Sequence, residues 1–272
     1  MPTLSPSRRA TTPVARRIVA LSLAVLSLAL LPASHAQAVT ATDAEGLLLR
    51  MVNNARVDRG LVPLVRWAAV GGLARQRATT MARTNTLSHT ASGNLSNQLD
   101  AAGVRRFRYG EVIAYTGVSG WNEAARSLFR AWRGSAPHWR LLMSDDMNYF
   151  GAGLALRTSN GRTFGSIVLT ESPDHTGARA WMATKARSGD DVRWAWTGRD
   201  ARLQTHTAGL RDFDVQYRVD GGAWRLIRDN TTSRSISLAD RVHQHTYSLR
   251  VRATDRRGNV GAWSNPSKIW VP

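Results

Sequence analysis

The sequence predicts an α+β domain followed by an all-β sandwich. Apolar residues recur at helical spacing through much of the first half, where Asn160 and Gly161 also supply a strong hairpin signal. In the second half the apolar runs alternate with polar residues, which is typical of half-buried strands. The 272 residues, 43% of them hydrophobic, suffice for two ordinary domains, which we place at 39–175 and 176–272 behind an N-terminal segment, 1–38.

Three helices and a hairpin are predicted in the first domain. Residues 42–45 form a capping-box pattern, and apolar residues follow at helical spacing until Gly60 ends the run. Two further amphipathic patterns predict helices over 70–84 and 120–133. Apolar residues alternate over 152–169 on both sides of the Asn-Gly turn, which predicts two antiparallel strands. Helices that flank hairpin strands indicate a layered α+β domain.

The second domain is predicted to contain short strands only. A loose Gly- and Ser-containing segment is expected over 173–189. Alternating runs at 194–196, 213–219 and 247–253 then predict strands, and a last strand is expected near 268–271. Short strands with turns at this spacing are typical of a β-sandwich.

The N-terminal segment is predicted to be a secretory signal peptide. Four arginines precede a predominantly apolar run without charges over residues 18–31, and small residues follow Pro32. This order is typical of an exported protein, and cleavage after Ala36 or Ala38 fits equally well. The run is shorter than the ~20 residues that span a bilayer. We therefore expect a secreted protein, extracellular or attached to the cell envelope, and not an integral membrane protein after cleavage.

Composition excludes several classes of function. The chain has no cysteine, so disulfide frameworks, thiolate zinc sites and cysteine nucleophiles are excluded. Its 37 basic residues against 19 acidic ones give a formal net charge of +18. The basic residues are spread over both domains and do not form a stripe with stacking aromatics, so we expect no nucleic-acid function. Anionic cell-envelope polymers remain candidate partners.

Five short motifs occur in order along the first domain. They are Asn53–Arg56 with Gly60–Leu64, Ser88–His89, Gly110–Ala114, Ala131–Trp132 with Ser135–His138, and Gly151–Gly153. Together they resemble the motifs of the CAP domain, the cysteine-rich secretory, antigen-five and pathogenesis-related superfamily, in its bacterial form. The resemblance covers residues 46–171 and implies a three-layer α-β-α sandwich.

The resemblance also implies a cleft and its lining residues. His89, Glu111 and His138 would line this cleft, and Glu123 is a candidate for the second glutamate of animal and plant members. Three positions depart from the family pattern, where other members often carry polar side chains: Val112, Trp139 and Leu141. These departures favour a binding role, or a structural role at the cell surface, over catalysis.

Two histidines and one carboxylate allow three chemical roles. The imidazoles of His89 and His138 suit zinc or another divalent ion. A carboxylate next to a histidine also suits acid–base catalysis near neutral pH, with Glu111 and His138 as the candidate catalytic groups. The third role is a buried polar network that fixes the packing. Ser88 and Ser92 flank His89, and we interpret them as local caps and not as nucleophiles.

The second domain resembles a fibronectin type III module, an immunoglobulin-like sandwich. The resemblance rests on residues 214–224 and 247–259, and it identifies Tyr247 as the candidate corner tyrosine. It implies a spacer or adhesion module. Trp224 and Trp263 are alternatively platforms for sugar rings, although packing within the module is the default for such residues.

Three functions remain open from the sequence. The first is a non-catalytic extracellular binding protein whose cleft holds a lipid, a glycan or a peptide. The second is a metal-dependent hydrolase of peptides or cell-wall polymers, with His89 and His138 as ligands and Glu111 as base. The third is a structural or adhesion protein of the cell surface with a vestigial cleft.

Overall fold

The computed structural model describes residues 39–272, so the predicted signal peptide over 1–38 lies outside the described residues. Within 39–272, no helix combines the length and the apolar character that crossing a membrane requires. The first domain contains, in chain order, α1 (Ala41–Val57), β1 (Val65–Arg66), α2 (Ala68–Thr84), α3 (Leu95–Ala101), β2 (Arg108–Thr116), α4 (Trp121–Arg133), α5 (Ala136–Leu142), β3 (Tyr149–Arg157) and β4 (Arg162–Glu171).

The sheet of the first domain has the order β1-β3-β4-β2 and is buried on both faces. Along β4, Ile167 and Leu169 pack into a core with α1 and α4, whereas Val168 packs into a second core with α2. Successive side chains of a strand point to opposite faces, so helices cover both sides of the sheet. The mixed α+β class, the second and third helices and the hairpin at Asn160 are confirmed.

The start of α1 differs from the prediction. The capping box is formed by Thr40 and Asp43, not by residues 42–45, so the helix begins at Ala41. Glu45 is instead fully buried, and it accepts hydrogen bonds from Arg75 Nε at 2.8 Å and Arg66 at 3.3 Å. Glu45 therefore satisfies the capping pattern in sequence, but in the structure it forms ion pairs with Arg75 of α2 and Arg66 of β1.

We expect Thr40→Ala to lower the free energy of unfolding by about 1 kcal/mol, the usual cost of losing an N-cap. Hydrogen bonds from the Thr40 backbone and side chain lower the pKa of Asp43 below its ordinary 3.8. The stabilisation from Asp43 is thus present above that pH and is lost as pH falls through the lower value of the folded state. Denaturant titrations of Thr40→Ala and Asp43→Asn at neutral and acidic pH measure both effects.

Helix α2 lies directly on the backbone of β3. A Cβ atom at Gly151 would lie 2.3 Å from the carbonyl carbon of Val70, and one at Gly153 would lie 2.3 Å from the amide nitrogen of Arg75. Real Cβ contacts are not that short, so the Gly-x-Gly motif is required for this close approach of helix and strand. The contact sets the distance from α2 to the sheet and hence the position of the side chains that α2 carries.

The second domain is built only from strands. They are β5 (Arg179–Ser188), β6 (Asp191–Arg199), β7 (Leu210–Val219), β8 (Arg225–Thr231), β9 (Ser235–Leu238), β10 (His245–Asp255) and β11 (Ser267–Val271). The loose segment expected over 173–189 is wrong in its second part, because nine of the ten residues of 179–188 pair with β6. Its side chains are mostly exposed, so β5 lacks the apolar alternation that marks the other strands.

Two antiparallel sheets enclose the core of the second domain. Their strand orders are β11-β10-β7-β8 and β5-β6-β9. Trp194 and Trp196 from the smaller sheet pack against Phe213, Leu249 and other apolar residues of the larger one. The Tyr247 hydroxyl donates a hydrogen bond to the Val242 carbonyl at 2.8 Å, which is the contact expected of a corner tyrosine.

A loop of the second domain packs against the first. In residues 200–209, the Gln204 side chain accepts a hydrogen bond from the Val62 amide at 2.6 Å, and the Thr205 carbonyl accepts one from the Asn148 side chain at 3.1 Å. His206 lies 2.9 Å from a carboxylate oxygen of Glu171. Specific polar contacts therefore join these two parts of the described chain, and the sequence did not reveal them.

Candidate functional site

The Glu111 carboxylate is the centre of the candidate site. It lies on β2, and only 3% of its side chain is exposed. Its Oε1 accepts hydrogen bonds from Arg77 Nε at 2.6 Å and Ser166 Oγ at 2.7 Å. Its Oε2 is 2.9 Å from both an Arg77 terminal nitrogen and His89 Nδ1. A carboxylate offers about four acceptor positions, so these four contacts within the protein occupy all the acceptor positions of Glu111.

Arg77 is a member of this network that sequence reasoning missed. It lies on α2, its side chain is 2% exposed, and it forms a two-point ion pair with Glu111. Its remaining donors reach Gln98 Oε1 at 2.6 Å and the carbonyls of Gly93 and His89. The sequence does contain a signal for a functional or structural role of Arg77, because an arginine at this position interrupts the apolar stripe of an amphipathic helix.

His89 is fixed at one ring nitrogen and open at the other. Its Nδ1 faces the Glu111 carboxylate, which is an acceptor only, so Nδ1 carries the proton in this hydrogen bond. In the neutral ring Nε2 is then an acceptor. The side chain is 55% exposed, which leaves Nε2 accessible to a ligand. A carboxylate that orients a histidine in this way is the usual partner of metal-binding histidines.

Helix α5 brings His138 to the site through two contacts. Buried Arg56 donates hydrogen bonds to the carbonyls of Leu142 at 3.1 Å and Ser144 at 2.8 Å, which fixes the C-terminal end of α5. Burial lowers the pKa of Arg56 to about 10. The Leu141 side chain then lies over Gly110, where a Cβ would come within 2.7 Å of it. This places α5 directly against the strand segment that carries Glu111.

His138 and His89 lie close enough to influence each other. Partial burial lowers the pKa of His138 below its ordinary value, and the positive charge of a protonated His89 would lower it further. A neutral imidazole at position 138 is therefore favoured near pH 7, as ligand binding through a ring nitrogen requires. The ring nitrogens of His89 and His138 are thus the groups at this site that could hold a metal ion.

Glu123 lies apart from this network. It is in the first turn of α4 with 61% of its side chain exposed, and its ion-pair partner is Arg126 on the same helix, at 3.5 Å. It makes no hydrogen bond with His89, Glu111 or His138. The Ser88 hydroxyl accepts a hydrogen bond from the Thr90 amide at 3.1 Å, so its observed role is a local turn.

The three departures from the family pattern have structural partners. Val112 is fully buried in the core between the sheet and α1. Trp139 packs edge-on against Phe129 at 5.8 Å, with the Arg59 guanidinium 5.0 Å from its ring. Leu141 lies over Gly110, as described above. These side chains stabilise the walls of the site and supply no chemistry to it.

A tighter cluster of carboxylates lies elsewhere, near the interface of the domains. Among residues 39–272, only Asp174, Asp200 and Asp255 form a group of three possible metal ligands whose ligand atoms all lie within 4.8 Å of one another. His89, Glu111 and His138 do not converge that closely. The aspartates accept backbone hydrogen bonds, and burial together with the neighbouring carboxylates raises the pKa of Asp200.

Comparison with known families identifies the first domain. Residues 49–169 match the model of the cysteine-rich secretory protein family, CAP. This stretch of the chain is a CAP domain. The Arg77–Glu111–His89 network and His138 all lie within it.

Solved structures resemble each part of the chain. An extracellular protein with an SCP domain from Bacillus anthracis is 18% identical over 48% of this chain and 41% of its own, with a TM-score of 0.43. An outer surface protein of Borrelia burgdorferi is 16% identical over 49% of this chain and 96% of its own, with a TM-score of 0.44. A human fibronectin type III domain is 18% identical over 38% of this chain and 84% of its own, with a TM-score of 0.31. The chain thus spans about two fifths of the Bacillus protein. No curated protein matches the sequence significantly.

Proposed function

We propose that this CAP-domain protein is a non-catalytic extracellular binding protein. In this proposal the cleft beside His89 and His138 holds the ligand, and the C-terminal domain is a fibronectin type III-like spacer or adhesion module. The observation that carries the proposal is the saturation of Glu111, whose oxygens accept hydrogen bonds from Arg77, Ser166 and His89. A general base needs a free lone pair within reach of a substrate proton, and Glu111 offers none.

The groups left open at the site are suited to binding. His89 Nε2 is exposed, and the neutral ring of His138 presents a second imidazole. Two such rings can accept hydrogen bonds from a lipid headgroup, a glycan or a peptide. They also fit a divalent ion such as zinc, with Glu111 as the carboxylate that orients His89 and not as a ligand. When bound, such an ion would supply a positively charged anchor for an anionic group of the ligand.

Saturable binding by three probe classes tests this proposal. Calorimetric titrations use vesicles of phosphatidylglycerol, soluble peptidoglycan fragments and a mixed peptide library, each with and without zinc. We expect one class to bind and to lose at least about tenfold in affinity in His138→Ala, as for an interaction at the centre of an interface.

The matched control is Glu123→Ala, which removes an exposed side chain outside the network and should leave affinity unchanged. Equal affinities of the wild-type protein and His138→Ala would contradict a binding role for this cleft. Absence of binding by every probe would also contradict it.

A further inference from the structure

A groove of about 800 Å³ crosses the second domain between two edge strands. One wall is β5, and the other is the segment that leads from Ala262 into β11. The Lys185 ammonium spans the groove and donates a hydrogen bond to the Lys268 carbonyl at 2.7 Å. The groove lies outside the CAP domain and shares no residue with the histidine site.

The charges that line the groove have one sign. Arg179, Lys185 and Lys268 are basic, and no acidic residue lines the groove. In the described part of the chain, none of the three has a carboxylate within ion-pair distance. Both lysines of the whole sequence lie here. Uncompensated cations in a concave site attract an anionic ligand.

A ladder of cations and indole rings lies at one end of the groove, where Arg250 adds positive charge and Arg252 is paired with the Asp214 carboxylate at 2.8 Å. The Trp263 ring lines the groove and has the guanidinium groups of Arg250 at 4.8 Å and Arg252 at 4.7 Å. Arg250 is also 4.3 Å from the Trp224 ring, which in turn has Arg218 at 4.4 Å. Two guanidinium groups already stack on Trp224, so it is not the open sugar platform that the sequence allowed.

The open aromatic surface belongs to Trp181, which the sequence analysis did not single out. Its side chain lines the groove and is 43% exposed. The opposite wall carries Asn265 and Ser267, whose small polar side chains suit a ligand rich in hydroxyl groups. The Ser264 hydroxyl on the same wall accepts a hydrogen bond from the Val251 amide and donates one to the Asn265 carbonyl. One exposed indole with amides and hydroxyls opposite fits a sugar chain better than a nucleic acid, which favours a series of stacking rings.

We propose that this groove binds an acidic polysaccharide. A sugar ring stacks on Trp181, the polar wall hydrogen-bonds the hydroxyl groups, and Arg179, Lys185 and Lys268 pair with carboxylate or sulfate groups along the chain. The site is independent of the histidine cleft, so loss of binding at one site leaves binding at the other intact.

Binding of the purified protein to three polysaccharides tests this site. The probes are polygalacturonate, which carries carboxylates, dextran sulfate, which carries sulfates, and neutral dextran. We expect binding to at least one acidic polymer and none to dextran, and weakening as salt rises from about 50 to about 500 mM. The Arg179→Glu/Lys268→Glu variant should lose at least about tenfold in affinity, and Trp181→Ala should lose a similar factor.

Two matched control variants distinguish binding in this groove from the effect of net charge and from the effect of losing any exposed tryptophan. Arg225→Glu/Arg228→Glu changes the net charge equally at the opposite edge of the same four-stranded sheet. Trp270→Ala removes a tryptophan that is 53% exposed and does not line the groove. Both variants should keep affinity within about twofold. Circular dichroism confirms folding, and Trp181→Ala tests the groove even if the charge reversal prevents folding.

Several results would overturn the proposal. Equal losses in the groove variants and their matched controls would show that binding follows net charge and not this groove. Equal binding of dextran would exclude recognition of acidic groups. Failure to bind either acidic polymer, or tighter binding of an oligo-dT strand than of both, would contradict an acidic polysaccharide as the ligand.

Discussion

Arg77→Met is expected to destabilise the protein by about 3–5 kcal/mol, because it leaves the buried Glu111 carboxylate without its cation. The same change removes the hydrogen bonds that tie Gln98 and the carbonyls of His89 and Gly93 to α2. The segment that carries His89 would therefore also lose its attachment. Urea denaturation of the wild type and the variant gives the difference in the free energy of unfolding.

A double variant separates the buried charge from the other contacts of Arg77. In Arg77→Met/Glu111→Gln no buried carboxylate remains, so we expect it to be more stable than Arg77→Met alone. The coupling energy of the double-mutant cycle reports the pair directly. A loss below about 1 kcal/mol in Arg77→Met, or no coupling with Glu111→Gln, would show that the ion pair does not support this site.

Gly153→Ala is expected to cost at least about 3 kcal/mol, the upper end of the range for overpacking. The new Cβ would come within 2.3–2.4 Å of backbone atoms of Ala74 and Arg75. Backbone cannot rotate away as a side chain does, so α2 must move from β3. Because α2 carries Arg77, the displacement should also weaken binding at the histidine cleft. Thermal and denaturant unfolding measure the stability effect.

Gly72→Ala is the matched control for this substitution. Gly72 lies on α2 itself, and a Cβ there meets no atom within 4 Å. Alanine has the higher helix propensity, so this variant should be neutral or up to about 1 kcal/mol more stable. Similar losses at positions 72 and 153 would contradict the interpretation that close packing of helix on strand explains the Gly-x-Gly motif.

Local patterns in the sequence predicted the helices and strands whose buried apolar side chains recur at a regular spacing. Helix α4 and the β3–β4 hairpin follow from apolar spacing and from the turn at Asn160, because each of them buries one or both faces in a core. Strand β5 was missed because it is an edge strand with mostly exposed side chains, so no apolar alternation marks it. The start of α1 was misplaced by two residues because Thr40–Asp43 and residues 42–45 both satisfy a capping pattern.

The sequence predicted individual residues of the site but not the network of contacts that holds them. His89 and Glu111 were expected together through the family resemblance, and they are hydrogen-bonded in the structure. Partners such as Arg77 and Ser166 come from other elements, and the sequence alone does not show which elements meet. The contacts of the 200–209 loop with the CAP domain could not be predicted for the same reason.

Turnover by the zinc-loaded protein tests the central claim that this cleft binds without catalysis. The assay follows hydrolysis of a labelled protein substrate and of peptidoglycan by the wild type and by Glu111→Gln, each with zinc and with a chelator. The saturated hydrogen bonding of Glu111 predicts no turnover above the blank in any sample. Turnover by the wild type that the chelator abolishes and Glu111→Gln lacks would contradict it and establish a metal-dependent hydrolase.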